Sequence, residues 1–155
     1  MTLDLRMTRH LPATPEEVFD AYTDAEQQKI WFNILHEKPD IVEIEVDLRV
    51  GGKQTVVWGT SPDALFRETQ TFIEIDRPHR LVTDATGSSP DGDTMTTRIE
   101  VTFEDDDGGT QVTVVQSGFP TPEIRDFFVS EGWAGAFDRI EAFLVRKRRS
   151  TSAGA

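Results

Sequence analysis

The chain has 155 residues, 37% of them hydrophobic, which is enough for one domain with a substantial core. Its formal net charge of −12 argues against nucleic acid or an anionic membrane as a partner, because phosphate groups are bound by basic surfaces. The absence of cysteine excludes disulfides, thiolate metal sites and cysteine nucleophiles. With no membrane-length apolar run and no secretion signal, we expect a cytoplasmic protein.

The first part of the sequence predicts a strand followed by two short helices. Residues 3–11 alternate apolar and polar side chains, as a half-buried strand does. Thr14, Pro15 and Glu17 form the pattern of a capped helix N-terminus, with a hydroxyl at the cap, proline at the first helical position and glutamate three residues after the cap. Asp24 begins a second cap of the same kind, so a second short helix is expected immediately after it.

The middle of the chain predicts consecutive antiparallel strands separated by turns rich in glycine, proline and aspartate. The predicted strands cover residues 41–49, 54–60, 65–75, 80–86, 95–104 and 111–117. A short helix capped by Thr121 follows, and then a long amphipathic helix from Ser130 towards Arg146. We therefore expect an α+β domain in which about six to seven antiparallel strands curve around the long C-terminal helix, followed by a flexible basic and polar tail over residues 148–155.

The start of the long helix contains two glycines, Gly132 and Gly135, on either side of Trp133. Each glycine in a helix interior costs about 1 kcal/mol relative to alanine. Apolar residues recur at steps of three and four from Trp133 to Leu144, which is typical of a helix face packed on a core. The glycines are explained either by close packing or a helix break, or by a cavity wall beside the tryptophan.

The sequence contains no complete motif for nucleotide binding, acyl transfer or metal binding. His10, His36 and His79 are far apart and share no ligand spacing, so neither a metal site nor a cofactor is expected. His36 follows the second helix, where it could approach the mouth of a cavity.

The polar residues of one central strand are the candidates for chemistry. Alternation places Phe66, Glu68 and Gln70 on one side of that strand, and Phe72 and Glu74 continue the series. A carboxylate facing an apolar cavity has a raised pKa and can act as a general acid or base, so Glu68 and Glu74 are candidate catalytic residues. In the opposite register both glutamates face solvent, and alternation alone does not decide between the two registers.

Five segments, in this order and at these spacings, resemble the START-like, helix-grip superfamily known as SRPBCC. They are ATPEEVFDAYTDAEQQKIWF (13–32), VDLRVGGK (46–53), FIEIDRPHRLV (72–82), GGTQVTVVQSGFP (108–120) and GWAGAFDRIEAFL (132–144). Within the superfamily they are most similar to the AHSA-type branch, represented by the C-terminal domain of the activator of a heat-shock chaperone's ATPase. The resemblance implies a single helix-grip domain over residues 1–147, with a cavity between the sheet and the long helix.

The resemblance and the aromatic residues together imply binding of a small, largely hydrophobic organic ligand in that cavity. The expected ligand-binding residues are Trp31, Trp58, Phe66, Phe72, Met95, Ile99, Gln116, Phe119, Trp133 and Phe137. The cavity is expected to open near residues 31–36, the loop after Gly87, and Phe119. For each tryptophan an ordinary core role stays open.

Two other functions stay open from the same resemblance. One is a polyketide cyclase-like or hydrolase-like enzyme that uses Glu68 or Glu74 with a polar partner such as Gln116. The other is a chaperone-interacting domain. The expected partner is a small hydrophobic molecule, with no nucleic acid and no membrane, and the unpaired edges of such a sheet allow a homodimer without requiring one.

Overall fold

The computed structural model describes the backbone of residues 3–153 and the side chains of residues 3–149. The strands are β1 (Asp4–Leu11), β2 (Ile41–Val46), β3 (Lys53–Gly59), β4 (Leu65–Asp76), β5 (Arg80–Ser88), β6 (Thr94–Asp106) and β7 (Gly109–Ser117). The helices are α1 (Pro15–Thr23), α2 (Ala25–Phe32), α3 (Pro122–Phe127) and α4 (Ala134–Ala153), and a π-helical turn over Phe128–Trp133 joins α3 to α4.

The strands form one antiparallel sheet in the order β1-β7-β6-β5-β4-β3-β2. Strands β2 to β7 are consecutive neighbours, and β1 pairs with β7, so β1 and β2 are the two edges. The arrangement confirms the predicted α+β fold, with a seven-stranded antiparallel sheet, two short helices after the first strand and a long C-terminal helix.

The two early helices begin where the capping patterns predict. The Thr14 hydroxyl accepts a hydrogen bond from the backbone N–H of Glu17 at 3.2 Å, and the Glu17 carboxylate accepts one from the backbone N–H of Thr14 at 3.3 Å. Asp24 both ends α1 and caps α2 through the N–H of Gln27. Because these caps satisfy backbone donors that a helix leaves free, they fix both helix starts beside the first strand.

The core lies between the sheet, α1 and α4. Phe19 of α1 and Phe103 of β6 meet edge to face with ring centroids 5.3 Å apart, and both are almost fully buried. Val114 of β7 and Ile140 of α4 belong to the same cluster. None of the described helices combines the length and the apolar character needed to cross a membrane.

The C-terminal helical segments follow one another without interruption from Pro122 to Ala153. The long helix was expected to run towards Arg146, and its backbone continues to Ala153, into the predicted tail. Most side chains of that predicted tail, and residues 154–155 entirely, lie outside the described residues.

The two glycines of this helical stretch are not required by close packing. A Cβ built on Gly135 would meet no atom within 4 Å, and one built on Gly132 would meet only the Phe128 side chain, at 3.5 Å or more. Gly135 therefore leaves open space, which matches the cavity-wall explanation. Gly132 is in ordinary contact with Phe128 and lies in the π-helical turn, a break in the α-helix of the kind that the alternative explanation expects.

We expect the substitution Gly135→Ala to raise the free energy of unfolding by about 0.5–1 kcal/mol, because alanine is favoured over glycine in a helix and nothing obstructs its methyl group. Urea unfolding followed by circular dichroism measures the change. The matched control is Gly52→Ala, whose Cβ would collide with the carbonyl oxygen of Asp47 and should destabilise the protein. A destabilised Gly135→Ala variant would contradict this account of the helix start.

Candidate functional site

A cavity of about 570 Å³ lies between the sheet and the C-terminal helical stretch. Its wall is built from α1, α2, the loop after α2, the strands β3, β4, β6 and β7, the π-helical turn and the start of α4. Both glycines of the helix start belong to this wall.

Aromatic rings form much of the cavity wall. Tyr22 of α1 and Trp133 of the π-helical turn are stacked with centroids 6.3 Å apart. On the α2 side, Phe32 lies 6.3 Å from Trp31 and 6.1 Å from Trp58 of β3. These rings present large, rigid apolar surfaces to the cavity.

The structure brings part of the predicted ligand-binding set to the cavity wall. The predicted residues on the wall are Trp31, Trp58, Ile99, Gln116 and Trp133. The rest of the predicted set does not belong to it. Periodicity predicts which residues face inward, but it does not separate those that touch the cavity from those packed behind it.

Three of the remaining residues lie beside a wall residue or in the core. Phe66 stacks on Trp58 at 5.5 Å and is itself 42% exposed. Phe137 lies 5.8 Å from Trp133 and is buried in the core. Phe72 is likewise buried in the core. Phe66 and Phe137 thus hold two of the lining rings in place.

The predicted cavity mouth is partly supported. Leu35 and His36, from the loop after α2, lie on the wall, whereas no wall residue comes from the loop after Gly87. Phe119 packs on Phe128 at 5.2 Å, so it supports a wall residue without reaching the cavity, and Met95 is half-buried against the core.

A β-bulge in β4 decides which of its polar residues reach the cavity. The pairing of β4 with β5 shifts by one residue between Phe72 and Glu74. A bulge adds one residue to a strand, so the side chains after it alternate in the opposite phase to those before it. Glu68 and Gln70, which precede the bulge, lie on the cavity wall. Glu74, which follows it, does not share their face and is not a wall residue. Glu74 is exposed and forms an ion pair with Arg80 at 2.8 Å.

Glu68 is the carboxylate that the sheet contributes to the cavity wall, and a hydrogen-bonded chain positions it. Gln70 Nε2 donates to Glu68 Oε1 at 2.6 Å, and Thr83 Oγ1 donates to Gln70 Oε1 at 2.8 Å. Burial raises the pKa of Glu68, and the hydrogen bond from Gln70 acts in the opposite direction. Among the described residues no cation pairs with this carboxylate.

Tyr22 lies near Glu68 on the opposite wall. Burial, and secondly the negative charge of Glu68, raise the pKa of the Tyr22 hydroxyl far above its ordinary value, so it stays neutral. Within the described chain this hydroxyl has no hydrogen-bond partner. Tyr22 follows Val18 and Phe19 at helical spacing, which predicts an inward side chain but not the neighbouring carboxylate.

A second hydrogen-bonded chain joins the start of the long helix to the sheet. Trp133 Nε1 donates to Gln116 Oε1 at 2.8 Å, and Gln116 Nε2 donates to Thr97 Oγ1 at 2.9 Å. On the α2 side, Gln28 donates to Gln54 at 3.0 Å. The cavity wall is thus a set of aromatic rings interrupted by oriented amides.

Arg139 closes one side of the cavity and was not singled out by sequence reasoning. Its guanidinium lies 5.5 Å from the centre of the Trp31 ring and 5.0 Å from that of Phe32. It donates to the carbonyl oxygens of Phe32 at 2.9 Å and Gly135 at 3.1 Å. Burial lowers its pKa. Its place on the wall could have been predicted from its position four residues after Gly135, because residues four apart lie on the same side of a helix.

The histidines are not brought together. His36 lies on the cavity wall, His10 makes a contact of 3.2 Å with the carbonyl oxygen of Asp106, and His79 is exposed in the turn after β4. In residues 3–149 no group of three or more histidine, aspartate or glutamate side chains could hold a metal ion.

Several solved structures share the fold. A protein from Rhizobium leguminosarum is 22% identical with a TM-score of 0.78, and the match covers 94% of this chain and 96% of that one. A protein from Chromobacterium violaceum is 21% identical with a TM-score of 0.73, covering 90% and 95%. One from Mycobacterium smegmatis is 26% identical with a TM-score of 0.72, covering 92% and 90%. These similarities concern the fold.

No curated protein matches the chain significantly. The family model described as "Activator of Hsp90 ATPase homolog 1-like protein" matches residues 12–145, which is most of the chain and includes every element that surrounds the cavity. The chain therefore belongs to the family of activator of Hsp90 ATPase homolog 1-like proteins and is an AHSA-type helix-grip domain.

Proposed function

We propose that the protein binds a small, largely hydrophobic organic molecule in the cavity between the sheet and the long helix. The observation that carries this proposal is the cavity of about 570 Å³ with aromatic walls. Sites for small molecules usually measure about 300–1,000 Å³, with mostly apolar walls and a few oriented polar groups. The volume and the composition of this wall both agree with that description.

The rim of the cavity favours entry of an apolar molecule. Leu35 of the loop after α2 and Phe127 at the end of α3 are wall residues, and each side chain is 59% exposed. Large apolar side chains exposed next to a cavity are typical of a binding site rather than of an ordinary protein surface.

Oriented amides inside the cavity would select the pose of the ligand. The hydrogen bond from Trp133 fixes which end of the Gln116 amide is the oxygen, and the chain from Thr83 does the same for Gln70. Because their orientation is set before a ligand arrives, these amides offer fixed donors and acceptors. An apolar body with a small number of polar atoms therefore suits the site best.

The substitution Trp58→Ala tests the binding proposal. Removing this ring deletes contact area worth about 1.5–3 kcal/mol, so affinity for N-phenyl-1-naphthylamine, a neutral hydrophobic fluorescent probe, should fall about tenfold or more. The control is Ile73→Ala, which removes an exposed apolar side chain of β4 that is not part of the cavity wall. Fluorescence titration gives both affinities. Equal affinities for the two variants, or no binding by the unmodified protein, would contradict the proposal.

A second candidate function is supported by Glu68 alone. A carboxyl group with a raised pKa inside a cavity can transfer a proton to or from a bound carbonyl compound, and the Tyr22 hydroxyl offers a second donor nearby. This arrangement suits a cyclase-like or hydrolase-like enzyme. It would use the same cavity as the binding function and differs from it only in turnover.

Turnover would depend on Glu68 and not on Glu74. With aromatic esters and β-dicarbonyl compounds as substrates, conversion followed by nuclear magnetic resonance should fall at least about a hundredfold in Glu68→Gln, which keeps the size of the side chain but cannot exchange a proton. Glu74→Gln, on the same strand but away from the cavity, should keep the rate. Conversion that is unchanged in Glu68→Gln would eliminate the catalytic alternative.

The burial of Glu68 also predicts a pH-dependent effect on stability. Because its pKa is raised above the ordinary 4.5, the folded protein keeps this proton at pH values where the unfolded chain has released it. The contribution of Glu68 to the free energy of unfolding therefore becomes less favourable as the pH rises above about 4.5, the pKa of glutamate in the unfolded chain. Glu68→Gln should raise the free energy of unfolding at about pH 7 and change it little at about pH 4. Urea unfolding of the variant and of the unmodified protein at both pH values tests this prediction. A Glu68→Gln variant that is less stable than the unmodified protein at neutral pH would contradict it.

A further inference from the structure

We infer that the polar group of the cavity's ligand is a protonated amine that pairs with Glu68, so that the protein binds small organic cations with an apolar, preferably aromatic, body. This inference rests on the proposed binding function and specifies its ligand class. It depends on where Glu68 lies in the sheet, which charges surround it and which aromatic faces line the same cavity.

The neighbours of Glu68 in the sheet leave the carboxylate without a cation and with space beside it. Glu68 lies opposite Val56 of β3 and opposite Gly87 of β5. Directly opposed residues share a face of the sheet. Gly87 adds no side chain there, and a Cβ built on it would meet nothing nearer than the carbonyl oxygen of Arg67, at 3.8 Å. One side of the carboxylate is therefore bordered by a valine and the other by a residue without a side chain.

The carboxylate of Glu68 is held in place on one oxygen only. Gln70 donates to Oε1, and Gln70 is itself fixed by Thr83. In the described part of the chain Oε2 has no hydrogen-bond partner. Burying a carboxylate without a cation is unfavourable, and a cationic ligand would offset that cost directly. Burial raises the pKa of Glu68, which is consistent with an unmatched negative site.

The remaining charges on the cavity wall favour a cation over an anion. Glu131 adds a second carboxylate to the wall, whereas Asp138 is paired with Arg9 at 2.9 Å. The charge of Asp40 is offset by that of Arg139 nearby. The cation on the wall, Arg139, has donors engaged by two backbone carbonyl oxygens and lies over aromatic rings. A wall with more unpaired carboxylates than free cationic donors attracts a positive ligand.

The aromatic rings of the cavity provide a second means of recognising a cation. Tyr22, Trp58 and Trp133 lie on the same wall as Glu68. The face of an aromatic ring attracts an ammonium group, by about 0.5–2 kcal/mol depending on how far it is desolvated. An amine attached to an apolar body would therefore meet a carboxylate and aromatic faces together, whereas a carboxylic acid would meet repulsion from Glu68.

Three probes that share one body test the inference on the full-length protein. They are 2-(1-naphthyl)ethylamine, 2-(1-naphthyl)ethanol and 1-naphthylacetic acid, which are cationic, neutral and anionic at neutral pH. Isothermal titration calorimetry should show the amine binding at least about tenfold more tightly than the alcohol, as expected for a hydrogen bond to a charged group, and the acid most weakly. In Glu68→Gln the advantage of the amine should disappear while the affinity for the alcohol changes less than about twofold.

Glu74→Gln is the matched control, since it removes a glutamate of the same strand that lies outside the cavity and should keep the preference for the amine. Equal affinity for amine and alcohol in the unmodified protein, or an amine preference that persists in Glu68→Gln, would overturn the inference and leave the binding function standing. If neither those two probes nor N-phenyl-1-naphthylamine binds, the proposed binding function and the inference fail together.

Discussion

The buried hydrogen bond from Trp133 to Gln116 links the long helix to the sheet, and the cavity depends on it. The indole spans the distance between the π-helical turn and β7, while Thr97 fixes the far end of the amide. Without the indole donor, the amide oxygen of Gln116 would be buried and unpaired, which is unfavourable by about 1–3 kcal/mol. This polar contact adds to the apolar packing of Phe137 and Ile140 in holding the helix on the sheet, and Gly135 leaves space open beside it.

The polar interior of the cavity has a different physical character from the core beneath it. Around Phe19 and Phe103 the packing is aromatic and almost fully buried. Beside Glu68 and Gln70, hydrogen bonds orient side chains that a purely structural interior would replace with apolar ones. Unfavourable burial of this kind is retained in natural proteins where function requires it. The proposed binding of a ligand beside Glu68 and Gln70 would account for this contrast.

Much of the fold is predictable from local patterns, because caps and alternation are local. Thr14 and Glu17 predict the start of α1, and strands with regular alternation pair as expected. The cavity is less predictable, because it depends on packing between distant elements. Phe66 has the inward alternation of Glu68, yet it stacks beside Trp58 and does not belong to the cavity wall. Arg139 reaches the wall through contacts with α2 that no local pattern contains.

The bulge in β4 divides the strand into a part that lines the cavity and a part that packs on the core. Before it, the inward positions of the strand serve the cavity; after it, Ile75 turns towards the core and Glu74 pairs with Arg80. Because the change of phase occurs between them, residues such as Glu68 can vary during evolution without disturbing the ion pair and the apolar packing further along.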